Sequence, residues 1–150
     1  VGRTKASGLE VDGTYRPRPR WIVGANASWT STEVVDNRGL TPDLYPNGQP
    51  LPFRPAYTTS GFVAFPMARA ISATVRASAV GRQTVLSERY SGSRMSIDPY
   101  RVIDATATYT MSSVFEMYLH AQNAFNSTFY SAYDKPGAPR SVALGARLRQ

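Results

Sequence analysis

The 150-residue sequence has no cysteine, one histidine, and only two lysines beside fifteen arginines. Without thiols it can form neither disulfides nor the usual Cys/His zinc sites. No run of 18 apolar residues occurs, so no transmembrane helix is expected. The opening "VGRTKASGLEVDG" lacks the apolar stretch of a signal peptide, and an export signal, if used, is expected upstream or already removed. The GxSxG, HExxH, GxGxxG and P-loop patterns are all missing. His120, the only imidazole, reads as a solvated polar residue, and Glu116, four residues away, lies about 13 Å along a strand, beyond hydrogen-bond reach. The expectation is a protein that is not an enzyme and has no resident cofactor or metal.

A formal charge of +7 raises nucleic acid as a partner. The arginines, however, are scattered from Arg3 to Arg149, with no cluster denser than "RPRPR" and no helix to carry them into a groove. No nucleic-acid partner is expected. The triplets starting at Asn26 and Asn126 match the glycosylation pattern, but the first falls within a predicted strand, and both are read as structural.

What the sequence does have is period-two alternation. Leu9, Val11, Gly13 and Tyr15 alternate with Glu10, Asp12 and Thr14, and Trp21, Val23, Ala25, Ala27 and Trp29 with Gly24, Asn26, Ser28 and Thr30. The same pattern recurs over 57–65, 71–79, 103–109, 115–122 and 142–149. That makes about seven strands and no helix, each near the roughly 9–11 residues that cross a bilayer at a tilt. The connections alternate in length. Residues 17–20, 66–70 and 111–114 are tight, while 34–55, 84–99 and 124–140 are long and rich in Pro, Gly, Asn, Asp and Tyr. Short turns at one end and long loops at the other are the asymmetry of an outer-membrane barrel. Val23, Ala25, Val75, Ala105, Leu119 and Leu144 are expected to face lipid, with Arg76, Asp104, Glu116 and His120 facing a wet lumen. Trp21, Trp29, Tyr57, Phe65, Tyr109 and Phe115, near strand ends, are placed as interfacial girdles would be.

The stretches "VGRTKASGLEVDGTYRPRPRWIVGANASWTSTEV", "RVIDATATYTMSSVFEMYLHAQNAFNSTFYSAY" and "PGAPRSVALGARLR" resemble the C-terminal part of TonB-dependent outer-membrane receptors. The resemblance rests on a Gly–hydrophobic–Glu strand, a short turn, a Trp-bearing strand, an N-L-F-(D/N)-like segment at Asn123–Asn126 and a Pro-Gly-led final strand. It implies an all-β fold, an antiparallel transmembrane β-barrel segment of about seven strands from a 22-stranded receptor, residues 1–150 being the C-terminal barrel part without its plug domain. If the long loops lie outside, the odd count of strands leads to the expectation that the chain starts in an extracellular loop. Gln150 stands where such receptors usually end on an aromatic residue.

The resemblance further implies an outer-membrane receptor of a Gram-negative bacterium importing ferric siderophores, with iron present only as part of the transported chelate. Its partners would be the chelate, the TonB complex through the absent plug, outer-membrane lipid and lipopolysaccharide, and the barrel-assembly machinery. Loop residues Tyr45, Phe53, Arg89, Tyr90, Arg94, Tyr130 and Tyr133 are candidates for the ligand vestibule, since aromatic and guanidinium groups suit anionic aryl chelates. Two other readings stay open. A small complete barrel with a structural or adhesion role needs an eighth strand, which the five prolines between 42 and 55 resist. A soluble β-barrel ligand-binding module would have to bury Arg76 or Glu116.

Overall fold

The computed structural model describes residues 2–87, 93–132 and 134–148. Alternation becomes strand wherever it runs unbroken: β1 (Arg3–Tyr15), β2 (Ile22–Asp36), β3 (Tyr57–Pro66) and β4 (Ile71–Val80) form the first half of the sheet. Two four-residue strands follow, β5 (Gln83–Leu86) and β6 (Arg94–Ile97), then β7 (Tyr100–Thr110) and β8 (Phe115–Gln122). A short ribbon of β9 (Tyr130–Ala132) and β10 (Lys135–Pro136) precedes β11 (Ser141–Leu148). The main sheet has seven strands in the order β1-β2-β3-β4-β7-β8-β11, every neighbouring pair antiparallel. The seven strands are those expected from the alternation. The long connections differ from expectation in carrying two small hairpins, β5–β6 and β9–β10, and in starting later, because β2 continues through Val34 to Asp36.

Register divides the sheet into two chemically distinct faces. Residues directly opposite one another share a face. One row therefore runs Tyr15, Val23, Val63, Val75, Ala105, Ala121 and Val142 across all seven strands. The next row along, on the other face, reads Thr14, Gly24, Phe62, Arg76 and Asp104. The apolar face is open: Leu9, Trp29, Leu119 and Leu144 are all about half exposed or more. Among the described residues the buried apolar side chains are Val34, Pro52, Val85 and Ile97, and all four lie at the loop end, so the sheet itself has no core. This is the organisation of a wall between two solvents.

The rows also climb. The apolar row starts at the turn end of β1, passes mid-strand at Val75 and Ala105, and finishes at the loop end of β11. Such a stagger is what strands tilted about 35–45° to a barrel axis produce. The outward face of β2 turns polar at Ser31 and Glu33, and that of β1 at Ser7 and Lys5, so both strands outrun the apolar band at the loop end. At the turn end Trp21 and Phe65 stack with ring centroids 5.2 Å apart.

Candidate functional site

The loop-end structures pack on one another through backbone and guanidinium bonds. Gly48 N donates to Val34 O at 2.8 Å and Val34 N to Gln49 O at 2.9 Å, folding the 37–56 connection back on β2. Phe53 N donates to Thr84 O at 2.6 Å, joining that connection to β5. Arg94 completes the tie: Nη1 donates to Leu44 O at 2.8 Å and Nη2 to Pro50 O at 2.9 Å. At the end of β2, beyond the apolar band, Arg38 chelates the Asp36 carboxylate through Nε and Nη2. Those hydrogen bonds hold the Asp36 carboxyl below its usual range.

Beside this layer lies an open cleft of about 370 Å³ lined by Met95, Asp98, Tyr100, Phe129, Tyr130 and Asp134, among others. Tyr100 and Phe129 form its aromatic floor, stacked at 4.3 Å between centroids. Asp98 at its rim pairs with Arg82 at 3.5 Å. Of the loop residues picked out in the sequence, Tyr130 lines this cleft and is half exposed. Phe53 is exposed and held at φ 60° on the neighbouring connection, where Tyr45 N donates to Thr41 O at 3.0 Å. Arg94 reaches the Tyr45 segment rather than the cleft. Arg89, Tyr90 and Tyr133 lie outside the described residues. Tyr100 and Phe129 were missed, although an aromatic at the loop end of the polar parity of β7 was a usable signal.

On the polar face, Arg76, Asp104, Glu116 and His120 share one side of the sheet. The Arg76 guanidinium carbon sits 5.1 Å from the Phe62 ring centroid, and Phe62 in turn covers Gly24, where any Cβ would overlap the ring. His120 Nδ1 lies 2.9 Å from Thr106 Oγ1. The buried Glu116 accepts a bond from exposed Arg147 at 3.1 Å. None of these contacts joins an acid, a base and a nucleophile.

The segment Asn123–Asn126 closes β8 with a polar lock. Asn123 is fully buried at φ 48°. Its Nδ2 donates to Ser127 O at 2.9 Å and Ala138 O at 3.0 Å, and its Oδ1 accepts from Ser127 N at 2.9 Å. Its backbone N–H donates to Asp104 Oδ1 at 2.8 Å. One asparagine thus fixes both limbs of the 123–140 connection to β7 and positions Phe129 in the cleft.

Residues 1–124 match the family model described as TonB dependent receptor-like, beta-barrel. The chain belongs to that family. No curated protein matches the sequence. Among solved structures it is similar to the ferric-catecholate import receptor Fiu of E. coli in its closed form, with a TM-score of 0.82 and 19% identity over 98% of this chain. It is also similar to the ferric yersiniabactin uptake receptor FyuA of Yersinia pestis (TM-score 0.75, 17% identity, 98% of this chain). The pyoverdine receptor FpvA of Pseudomonas aeruginosa, bound to pyoverdine, gives a TM-score of 0.76 at 16% identity over 98% of this chain. The chain covers only 21%, 24% and 22% of those three receptors, so the likeness concerns one section of their barrels. TonB-dependent receptors are outer-membrane transport proteins rather than enzymes.

Proposed function

We propose that this chain is one wall of an outer-membrane barrel whose whole protein imports a ferric siderophore using energy relayed through TonB. The observation that carries the reading is the two-faced sheet with every long connection at one end. A row of one Tyr and six Val or Ala across all seven strands, exposed at Tyr15, Val23 and Val142 and half-buried between, suits lipid, and the opposite row with Arg76 and Asp104 suits a wet lumen. The long connections then lie outside the cell, and their aromatic cleft forms part of the vestibule in which a chelate is first held, with Tyr130 on its wall and Tyr45, Phe53 and Arg94 in the layer beside it. Arg89, Tyr90 and Tyr133 belong to the same proposed vestibule by their position in the sequence. Energy coupling is assigned to a plug outside this barrel section, and insertion to the barrel-assembly machinery.

The test uses the full-length protein that contains this chain, produced in a strain lacking its own siderophore receptors and fed radiolabelled iron as catecholate, hydroxamate and citrate chelates. Uptake abolished by a protonophore is expected with one of them, and none from residues 1–150 alone. Uptake by residues 1–150 alone, or failure of the full-length protein with every ferric chelate, would overturn the proposal; the latter would move the substrate toward haem, cobalamin or a glycan.

A further inference from the structure

The lipid-side parity of the sheet is apolar with one exception inside a strand of its second half. Arg101 opposes Ala79, and its row continues through Thr59 and Ala27 to Val11, all on the apolar face. It is exposed at the first outward position of β7, above Ile103, Ala105, Ala107 and Tyr109. Arg140 has the same parity just before β11, two residues ahead of Val142, and its backbone N–H is held by Asn126 Oδ1 at 3.0 Å. Among the described residues neither guanidinium has a hydrogen-bond or ion-pair partner. The outward positions of β7, β8 and β11 carry no carboxylate.

The stagger brings these two cations level. Ala105, Ala121 and Val142 form one row. With a tilt near 40°, Arg101 stands about 10 Å above Ala105 along the barrel axis, four residues up its own strand. Arg140 is only two residues above Val142, but that row has climbed by two strand spacings, which puts Arg140 about 11 Å above Ala105. The two Cα atoms are then about 12 Å apart at one height. Between them lies Phe125, flanked by Ala124 N bonded to Ile103 O at 2.8 Å and by Asn126 at Arg140, with 75% of its surface exposed.

We propose that Arg101, Arg140 and Phe125 form a seat for the phosphate-bearing head group of an outer-leaflet lipid, with Val142 against its acyl chain. This rests on the reading that the apolar face meets lipid and the long connections lie outside. A guanidinium at the apolar–polar boundary gains from a phosphate the charge-assisted, bidentate bonds that no side chain here offers. The level pair addresses one head group, and the exposed aromatic and valine below supply the apolar contact an acyl chain needs. A chelate passing through the lumen never meets this face.

The experiment uses the full-length protein purified in detergent and titrated with lipid A, followed by native mass spectrometry. An Arg101→Gln/Arg140→Gln variant is compared with an Arg69→Gln control, which removes a charge at the turn end. The double variant should bind lipid A about 25-fold more weakly, about fivefold for each arginine. The control should bind as the unmodified protein does, and lipid A stripped of its phosphates should bind all three weakly. Retention of lipid A within threefold by the folded double variant would overturn the seat, as would equal binding of the dephosphorylated lipid. The heat-modifiable gel shift of an inserted barrel, recorded for each protein, separates this from a failure of the barrel reading: if the unmodified protein lacks the shift, the lipid-facing assignment and the seat fall together.

Discussion

Replacing Asn123 tests whether one buried amide holds the 123–140 connection. Asn123→Ala removes three side-chain hydrogen bonds, leaving Ser127 N–H, Ser127 O and Ala138 O without their partners. Ser127 and Ala138 are exposed residues that water can partly re-satisfy, so each loss falls at the low end of the usual penalty, about 1 kcal/mol. Alanine also tolerates φ 48° less well than asparagine does, adding up to about 1 kcal/mol. The sum, about 3–4 kcal/mol, acts on local opening of the connection, because the ladder of β8 with β7 ends at Ala121 and needs none of these bonds. If proteolysis follows the open population, trypsin cleavage at Arg140–Ser141 in the folded, membrane-inserted protein should rise about 10²–10³-fold. Asn123→Asp keeps the acceptor for Ser127 N–H but turns both donors into a carboxylate oxygen facing two carbonyls, close to Asp104. It should open the connection as much as alanine does. Cleavage within threefold of the unmodified protein for both variants would refute the reasoning.

Three further outcomes follow from the two faces and the two ends. Val75→Arg and Leu119→Arg, near mid-strand on the apolar face, should each cost about 2–4 kcal/mol in urea unfolding of the bilayer-inserted protein, whereas Ser78→Arg on the polar face should cost much less; equal penalties would remove the lipid assignment. Cysteines at Asn47, Ser93 and Lys135 should react with an impermeant maleimide on intact cells and those at Arg18 and Ser112 should not, the chain having no native thiol to confuse the result; the reverse pattern would invert the sidedness. Gly24→Ala should destabilise by about 1–3 kcal/mol because its methyl meets the Phe62 ring, while Gly13→Ala, with open space around it, should change little by the same unfolding assay.

The seven long strands were legible because a half-exposed wall writes strict alternation, as in Tyr57, Thr59, Gly61, Val63 and Phe65 of β3. The extension of β2 to Asp36 was not, since Glu33, Val34 and Val35 break the period. There the strand is held by pairing with β1 and by the backbone bonds of Val34 to Gly48 and Gln49. Strands of four residues such as β5 and β6 are too short for a periodic signal and exist through packing of Val85 and Ile97 beneath the loops. At the site, composition pointed to the loop aromatics but not to their arrangement. Arg94 reads as a free cation in sequence because the carbonyls it binds belong to residues 44 and 50 positions away. Asn123 was visible as part of a motif, and only the fold shows that its amide reaches Ser127 and Ala138 at once.

Strand direction limits how this sheet can close. β1 runs from the loop end at Arg3 to the turn end at Tyr15, and β11 runs the same way, from Ser141 to Leu148. The outer edges of both strands carry backbone N–H and C=O groups that no other strand of the sheet meets. In hydrocarbon each such group costs several kcal/mol, so both edges must be paired before the sheet can cross a bilayer. A ring of copies of this sheet would set β11 of one against β1 of the next in parallel, breaking the antiparallel order of outer-membrane barrels. Pairing β1 with β1 across a twofold axis in the membrane plane restores antiparallel order but puts long connections on both sides of the membrane. An all-antiparallel barrel of one sidedness therefore needs an odd number of further strands between β11 and β1. That is the parity a barrel with an even total provides.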